Sequence, residues 1–336
     1  MRSVLNLKSV KMITALVLTI LLAASLIPAQ VEADEVKWYK GDLGFTESGK
    51  MKIGSGYFWY DTEYTDEGST NVLYYSAKKS AEGTKLVTID GYCTFGDTVL
   101  FNGSKVYYTT MSDPFDPDAN GKIKIKICSV SKTGKNKKTV KTISVSDDCL
   151  NTKLLSVYNN RLYFTRYNIN WEGDVTEGKL FSMNTKKNAD GKYKVRTEAK
   201  DFMNAETGNV SSRYIYSQAS GTLKIYDCKS GEVAKSLKGV GSFYVGSKYV
   251  YCITRDDNNV YTLVQRSLSG KDKKVIKKLP DASTAILKQS GKLYYNEYND
   301  AGEAKFYEYT VSKKSAVEIT ENQFMARAYD GAFGLG

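Results

Sequence analysis

Asp116-Pro117-Asp118-Ala119-Asn120-Gly121 sets side-chain oxygens at alternate positions ahead of a glycine. That is the first half of a calcium loop, D-x-D-x-N-G, whose oxygens converge on a hard cation while the glycine permits the sharp turn. The closing bidentate Glu is missing, because the twelfth position is Ile127. Asp116, Asp118 and Asn120 are therefore the candidate ligands of a weak calcium site completed by backbone carbonyls; the competing reading is a hairpin turn built from Asp, Asn and Gly. Trp171 stands in a polar stretch beside Glu172 and Asp174. A partly exposed indole next to carboxylates is a platform for stacking a sugar, and the alternative is a loop anchor. The chain contains no histidine. This removes Ser-His-Asp and Cys-His catalysis and every histidine-based metal site. No GxGxxG or P-loop pattern occurs. Paired carboxylates for glycoside hydrolysis are the enzyme chemistry left open.

Three long stretches, 61–70, 111–121 and 167–178, hold ten acids and no Lys or Arg. Six Lys-rich turns and the strands that leave them, at 76–86, 129–139, 183–195, 226–237, 266–276 and 309–319 and just beyond, hold 22 lysines. Opposite signs on opposite faces would give a field; solvated surface charge is the plainer reading. The whole chain carries 48 Lys and Arg against 37 Asp and Glu.

The elements that must position these residues repeat. KVYYTT (105–110), RLYFTR (161–166), RYIYSQ (213–218), KYVYCI (248–253) and KLYYNE (292–297) share one pattern, with a looser GYFWYD at 56–61. Trp59, Tyr107, Tyr163, Ile215, Val250 and Tyr294 mark steps of 48, 56, 52, 35 and 44 residues. That is the length of a four-stranded propeller blade. Period-2 alternation and β-branched and aromatic enrichment predict strands throughout. The expected fold is all-β, a six-bladed β-propeller of four-stranded antiparallel blades, with seven blades as the alternative. Val36–Tyr39 and Phe324–Leu335 fall outside the six units and are expected to meet as blade strands that close the ring. The five cysteines show no CxxC or metal spacing and lie in or beside apolar runs. Small buried hydrophobes are expected, with a Cys128–Cys228 or Cys228–Cys252 bridge as the alternative.

Arg2, Lys8 and Lys11 precede an uncharged apolar run, 12–27, and Val31-Glu32-Ala33 offers small residues for cleavage. Residues 1–33 are predicted to be a signal peptide, cut after Ala33 or else after Ala29. The run is short for a bilayer span, no cysteine precedes Cys93 to take a lipid, and no transmembrane segment is expected in 34–336, a single propeller domain. The G-K-L-Y-Y runs followed by Gly-Lys turns resemble the secreted bacterial six-bladed propellers of domain of unknown function 5050, and more distantly the YWTD and TolB-like propellers; a strict YWTD tetrad is absent. The resemblance covers most of 50–320 and implies the fold, with no catalytic residue to carry over. The expected function is a secreted, non-enzymatic binding or scaffold module at the cell envelope, holding an anionic cell-wall polymer or an envelope protein through its lysines. Nucleic acid is not an expected partner for an exported chain with scattered lysines. No cofactor beyond calcium is expected, and a carboxylate-based carbohydrate-active hydrolase is the alternative.

Overall fold

Tyr39–Asp42 forms a short strand, β1, that joins the second of six antiparallel sheets. The computed structural model describes residues 36–332 apart from 44–48, 66–67, 90, 93–97, 114–115, 119, 147–150, 170–174, 204 and 209–212. The predicted signal peptide, Cys93, Cys149 and the loop residues Trp171, Glu172 and Asp174 lie outside the described residues.

Sheet 1 is β2 to β5 (Met51–Ile53, Gly56–Thr65, Gly68–Ser76, Thr84–Thr88). Sheet 2 is β6 to β9 (Thr98–Phe101, Lys105–Met111, Ile123–Ser131, Lys138–Val145), with β1 paired outside β6. Sheet 3 is β10 to β13 (Asn151–Tyr158, Arg161–Ile169, Val175–Asn184, Val195–Lys200). Sheet 4 has three strands, β14 to β16 (Tyr214–Ala219, Thr222–Asp227, Glu232–Lys238), and an isolated bridge between Glu206 and Tyr216 stands where a first strand would run. Sheet 5 is β17 to β20 (Val240–Val245, Tyr249–Arg255, Tyr261–Ser267, Lys273–Leu279). Sheet 6 is β21 to β24 (Ile286–Gln289, Lys292–Tyr298, Ala304–Thr310, Ser315–Ile319). Within each sheet consecutive strands pair in chain order.

The aromatic runs explain how the sheets stack. Each occupies a strand that packs on both faces, so alternate residues enter different apolar layers. Tyr108 sits in the layer shared by sheets 1 and 2, and Tyr107 in the layer shared by sheets 2 and 3. Phe164 enters the second layer and Tyr163 the third; Ile215 enters the third and Tyr216 the fourth. Val250 and Cys252 face the fourth layer, while Tyr251 and Ile253 face the fifth. A Leu or Ile buried in such a layer is worth roughly 1.5–3 kcal/mol over exposure. Four-stranded meanders stacked face to face in chain order are the packing of a β-propeller. Cys128, Cys228 and Cys252 are buried and free, in the first, third and fourth layers, as expected of small buried hydrophobes, and neither alternative disulfide pair forms.

Both termini depart from expectation. β1 adds a fifth strand beside β6, in register Tyr39 to Phe101 and Asp42 to Thr98, instead of helping to complete a blade with the C-terminus. The C-terminal segment is a helix, α1 (Glu321–Ala332), and not a strand. Its start is capped reciprocally: the Gln323 amide donates to the Thr320 hydroxyl, and the Thr320 amide donates to the Gln323 side chain. Phe324 packs its ring on Phe306 at 5.0 Å, on the face of sheet 6 opposite the fifth layer.

Candidate functional site

Asp118 is spoken for by its own turn. Its Oδ1 accepts the Asn120 amide at 2.9 Å and the Lys122 amide at 3.0 Å, and Gly121 closes the turn at φ 64°. Those two amides hold its carboxyl below the ordinary value. The same turn recurs: the Asp256 carboxylate accepts from Asn258 and Val260, and the Asn299 side chain accepts from Ala301 and Glu303. Asn188 accepts from Lys192 in the fourth case. Neutral Asn serves as well as Asp, so turn geometry accounts for the Asp118–Gly121 pattern without calling on a cation. Asp116 and Asn120 are exposed beside it. Among the described residues no cluster of three acidic, Cys or His side chains is arranged to hold a metal.

The expected separation of charge is only partial. Much of 61–70 and 167–178 is ladder, because β3 runs to Thr65 and β11 to Ile169. Glu63 therefore lies on a sheet, where it accepts from Lys85 of the outgoing strand at 2.5 Å and from the Tyr74 hydroxyl at 2.5 Å. Glu177 pairs with Lys179 at 2.7 Å. The lysines of the six turns and outgoing strands are exposed except Lys141 and Lys277, which are half-buried. Many lie on β5, β9, β16 and β20, each the last strand of its sheet. Lysine on an edge strand keeps unpaired backbone from recruiting another chain, which is reason enough for it there.

The most connected ionic group came from none of the sequence motifs. Lys40 and Asp42, two apart on β1, lie on one face of the strand. Lys153 comes from β10, and Glu206 from the bridge that begins sheet 4. Lys40 Nζ is 2.7 Å from Glu206 and 3.5 Å from Asp42; Lys153 Nζ is 2.5 Å from Glu206 and 3.4 Å from Asp42. The Thr98 hydroxyl donates to Asp42 at 2.7 Å. The quartet joins sheets 2, 3 and 4 at their first-strand positions. On the other face of β1, Gly41 lets the strand approach sheet 1: a Cβ there would stand 2.5 Å from the Ile53 side chain.

Lys40 is buried at 3% exposure and Lys153 half-buried at 16%, while the carboxylates are more open at 43% and 40%. Burial works against the Asp42 carboxylate, but Lys40, Lys153 and Thr98 outweigh it and hold its pKa at about 2. Glu206 is held low in the same way against burial and against Asp42. Burial opposes the Lys153 charge, and the two carboxylates still push its pKa up. A general acid needs the opposite, a carboxyl raised toward neutrality. Asp42, Glu63, Asp118, Glu206, Asp227 and Glu308 are all lowered. The three described thiols are not activated either: burial pushes Cys252 up to about 12 and raises Cys128 and Cys228. No helix among the described residues is long and apolar enough to cross a membrane.

Neither a protein family model nor a curated protein matches the chain. Solved structures do show likeness. Uncharacterized protein lmo1340 from Listeria monocytogenes EGD-e is 10% identical with a TM-score of 0.48, covering 84% of this chain and 86% of that one. An oligogalacturonate lyase in complex with manganese is 8% identical with a TM-score of 0.49, over 84% and 78% of the two chains. A nidogen/laminin complex is 11% identical with a TM-score of 0.33, over 85% and 81%. The propeller assignment rests on the sheets and layers described above.

Proposed function

We propose that the chain is an exported, non-enzymatic binding or scaffold propeller of the bacterial cell envelope. Its six sheets act as six blades of one ring, in the secreted class that the tyrosine runs resemble. The observation that carries the non-enzymatic reading is the state of the quartet: both carboxylates are ion-paired, lowered and unable to donate a proton near neutral pH. The partner is an anionic wall polymer or envelope protein met by the exposed lysines of the turns and outer strands. Calcium at Asp116, Asp118 and Asn120, and stacking at Trp171 with Glu172 and Asp174, belong to the same proposal; at Asp118 the ion would compete with Lys124, whose Nζ lies 4.0 Å from Oδ2.

Co-sedimentation of residues 34–336 with purified cell wall tests the reading. Binding is expected at low salt and is expected to fall steeply at ionic strengths where the Debye length drops below about 8 Å. Release of reducing ends from a polysaccharide panel would replace the binding function with hydrolysis. Binding indifferent to salt would remove the lysines from the mechanism.

A further inference from the structure

Each sheet ends on an edge strand, and five of the six edges are blocked in the same two ways. β5, β9, β13, β16 and β20 each carry at least one lysine. Each also pairs with the strand before it through a shift of register. Lysines and bulges are devices that keep an edge strand from recruiting another chain. Among the described residues β24 alone has neither. Its sequence is Ser315-Ala316-Val317-Glu318-Ile319, without lysine or arginine. It pairs with β23 in unbroken register, from Thr310 with Ser315 to Phe306 with Ile319. Ser315, Ala316, Val317 and Glu318 are exposed, Val317 by 61%. α1 lies over β21 and β23, inward of this edge.

We propose that β24 pairs edge to edge with β24 of a second copy of this chain, antiparallel about a two-fold axis at Val317. Alternate residues of an edge strand turn their amides and carbonyls away from the sheet, and a second strand satisfies them. The register is self-complementary. Val317 meets Val317 of the other copy, Ser315 meets Ile319, and Ala316 meets Glu318. Lys313 and Lys314 precede the strand, and Glu318 and Glu321 stand at its far end. Antiparallel pairing brings the lysines of one copy to the glutamates of the other, at both ends of the contact. A parallel pairing would set like charges side by side, which is unfavourable. The two-fold axis closes the contact, so it makes a dimer and nothing larger. A strand pair this short is a small interface, and the dimer is a weak one. This contact is independent of wall binding and goes beyond the reading above.

Sedimentation equilibrium of residues 34–336, from about 1 µM to about 500 µM, tests the proposal. A monomer–dimer equilibrium is expected, half associated at about 10–100 µM. Val317→Lys gives this edge the lysine that the others carry, and is expected to weaken the dimer about tenfold or more. Lys313→Glu is expected to weaken it about threefold, and Lys313→Glu combined with Glu321→Lys to restore it. Val317→Cys sets two thiols face to face across the axis, so a short bis-maleimide should cross-link the dimer well beyond the wild type treated alike. Thermal melts establish that each variant is folded, and Val317→Lys, at an exposed position, decides if Glu321→Lys disturbs the helix. A monomer at every concentration, an association unmoved by Val317→Lys, assemblies larger than a dimer, or a dimer that Val317→Cys fails to cross-link would overturn the assignment.

Discussion

The layers between sheets and the outward faces of the first and last sheets solve the same problem by different means. Inside, Tyr216, Val250 and their neighbours bury apolar rings and branches from both sides. Among the described residues five such layers join consecutive sheets, and none joins sheet 6 to sheet 1. The outward face of sheet 6, with Tyr294 and Phe306, is instead covered by the chain's own helix α1. That of sheet 1 keeps a stacked Trp59–Tyr74 pair at 5.4 Å, with Lys50 at 4.4 Å over the indole and Tyr74 bonded to Glu63. Burial pairs identical chemistry across a layer, whereas the ends mix aromatic, charged and helical cover. The two end faces are therefore polar and mixed where the layers are apolar, and cooperativity should be carried by the layers.

The largest effect is expected inside a layer. Tyr216 is fully buried, and its hydroxyl donates to the Leu268 carbonyl at 2.8 Å. Tyr216→Ala opens a cavity between sheets 4 and 5 and should cost roughly 3–5 kcal/mol. Urea unfolding should show one transition moved to lower denaturant. A local loss that leaves the other sheets' transition in place would mean the sheets unfold independently, and the distinction between layers and end faces would fail.

Phe324→Ala should do less to the whole and more to one end. Phe324 is 5% exposed and supplies the ring by which α1 holds sheet 6. Losing that contact is worth at most about 3 kcal/mol, mostly spent on undocking a helix whose other described apolar side chains, Met325 and Ala326, are exposed. Limited proteolysis should cut after Thr320, while the urea midpoint of the sheets moves less than with Tyr216→Ala. An equal shift would make the helix as integral as a layer and break the comparison.

The sequence made these elements unequally visible. Period-2 runs such as KLYYNE gave the strands and their two-sided burial, because alternation is fixed by the backbone. The helix was hidden by its thin apolar stripe, although Thr320-Glu321-Asn322-Gln323 is a readable capping box. The calcium half-motif was readable only as residue types; the shared turn of Asp118, Asp256 and Asn299 needed coordinates. Lys40, Lys153 and Glu206 carried no local signal. They meet across 166 residues through the pairing of β1 with β6, a register no local pattern specifies.

That quartet gives the smallest expected effect and the sharpest use of the comparison, because it ties sheets 2, 3 and 4 by charge where the layers tie them by burial. Asp42 has a folded pKa of about 2 against an unfolded value near 3.9. A depressed folded pKa contributes stability that is fully present above the unfolded value and lost as pH falls through the folded one. The carboxylate is 43% exposed, so screening reduces the contribution to about 1 kcal/mol. Unfolding free energies of the wild type should therefore decline between about pH 4 and pH 2, and Asp42→Asn should remove part of that decline. Phe324→Ala, acting at the far end of the chain, should leave the slope as it was. A decline identical in Asp42→Asn and the wild type would assign the acid sensitivity to other carboxylates and leave the inner strands held by packing alone.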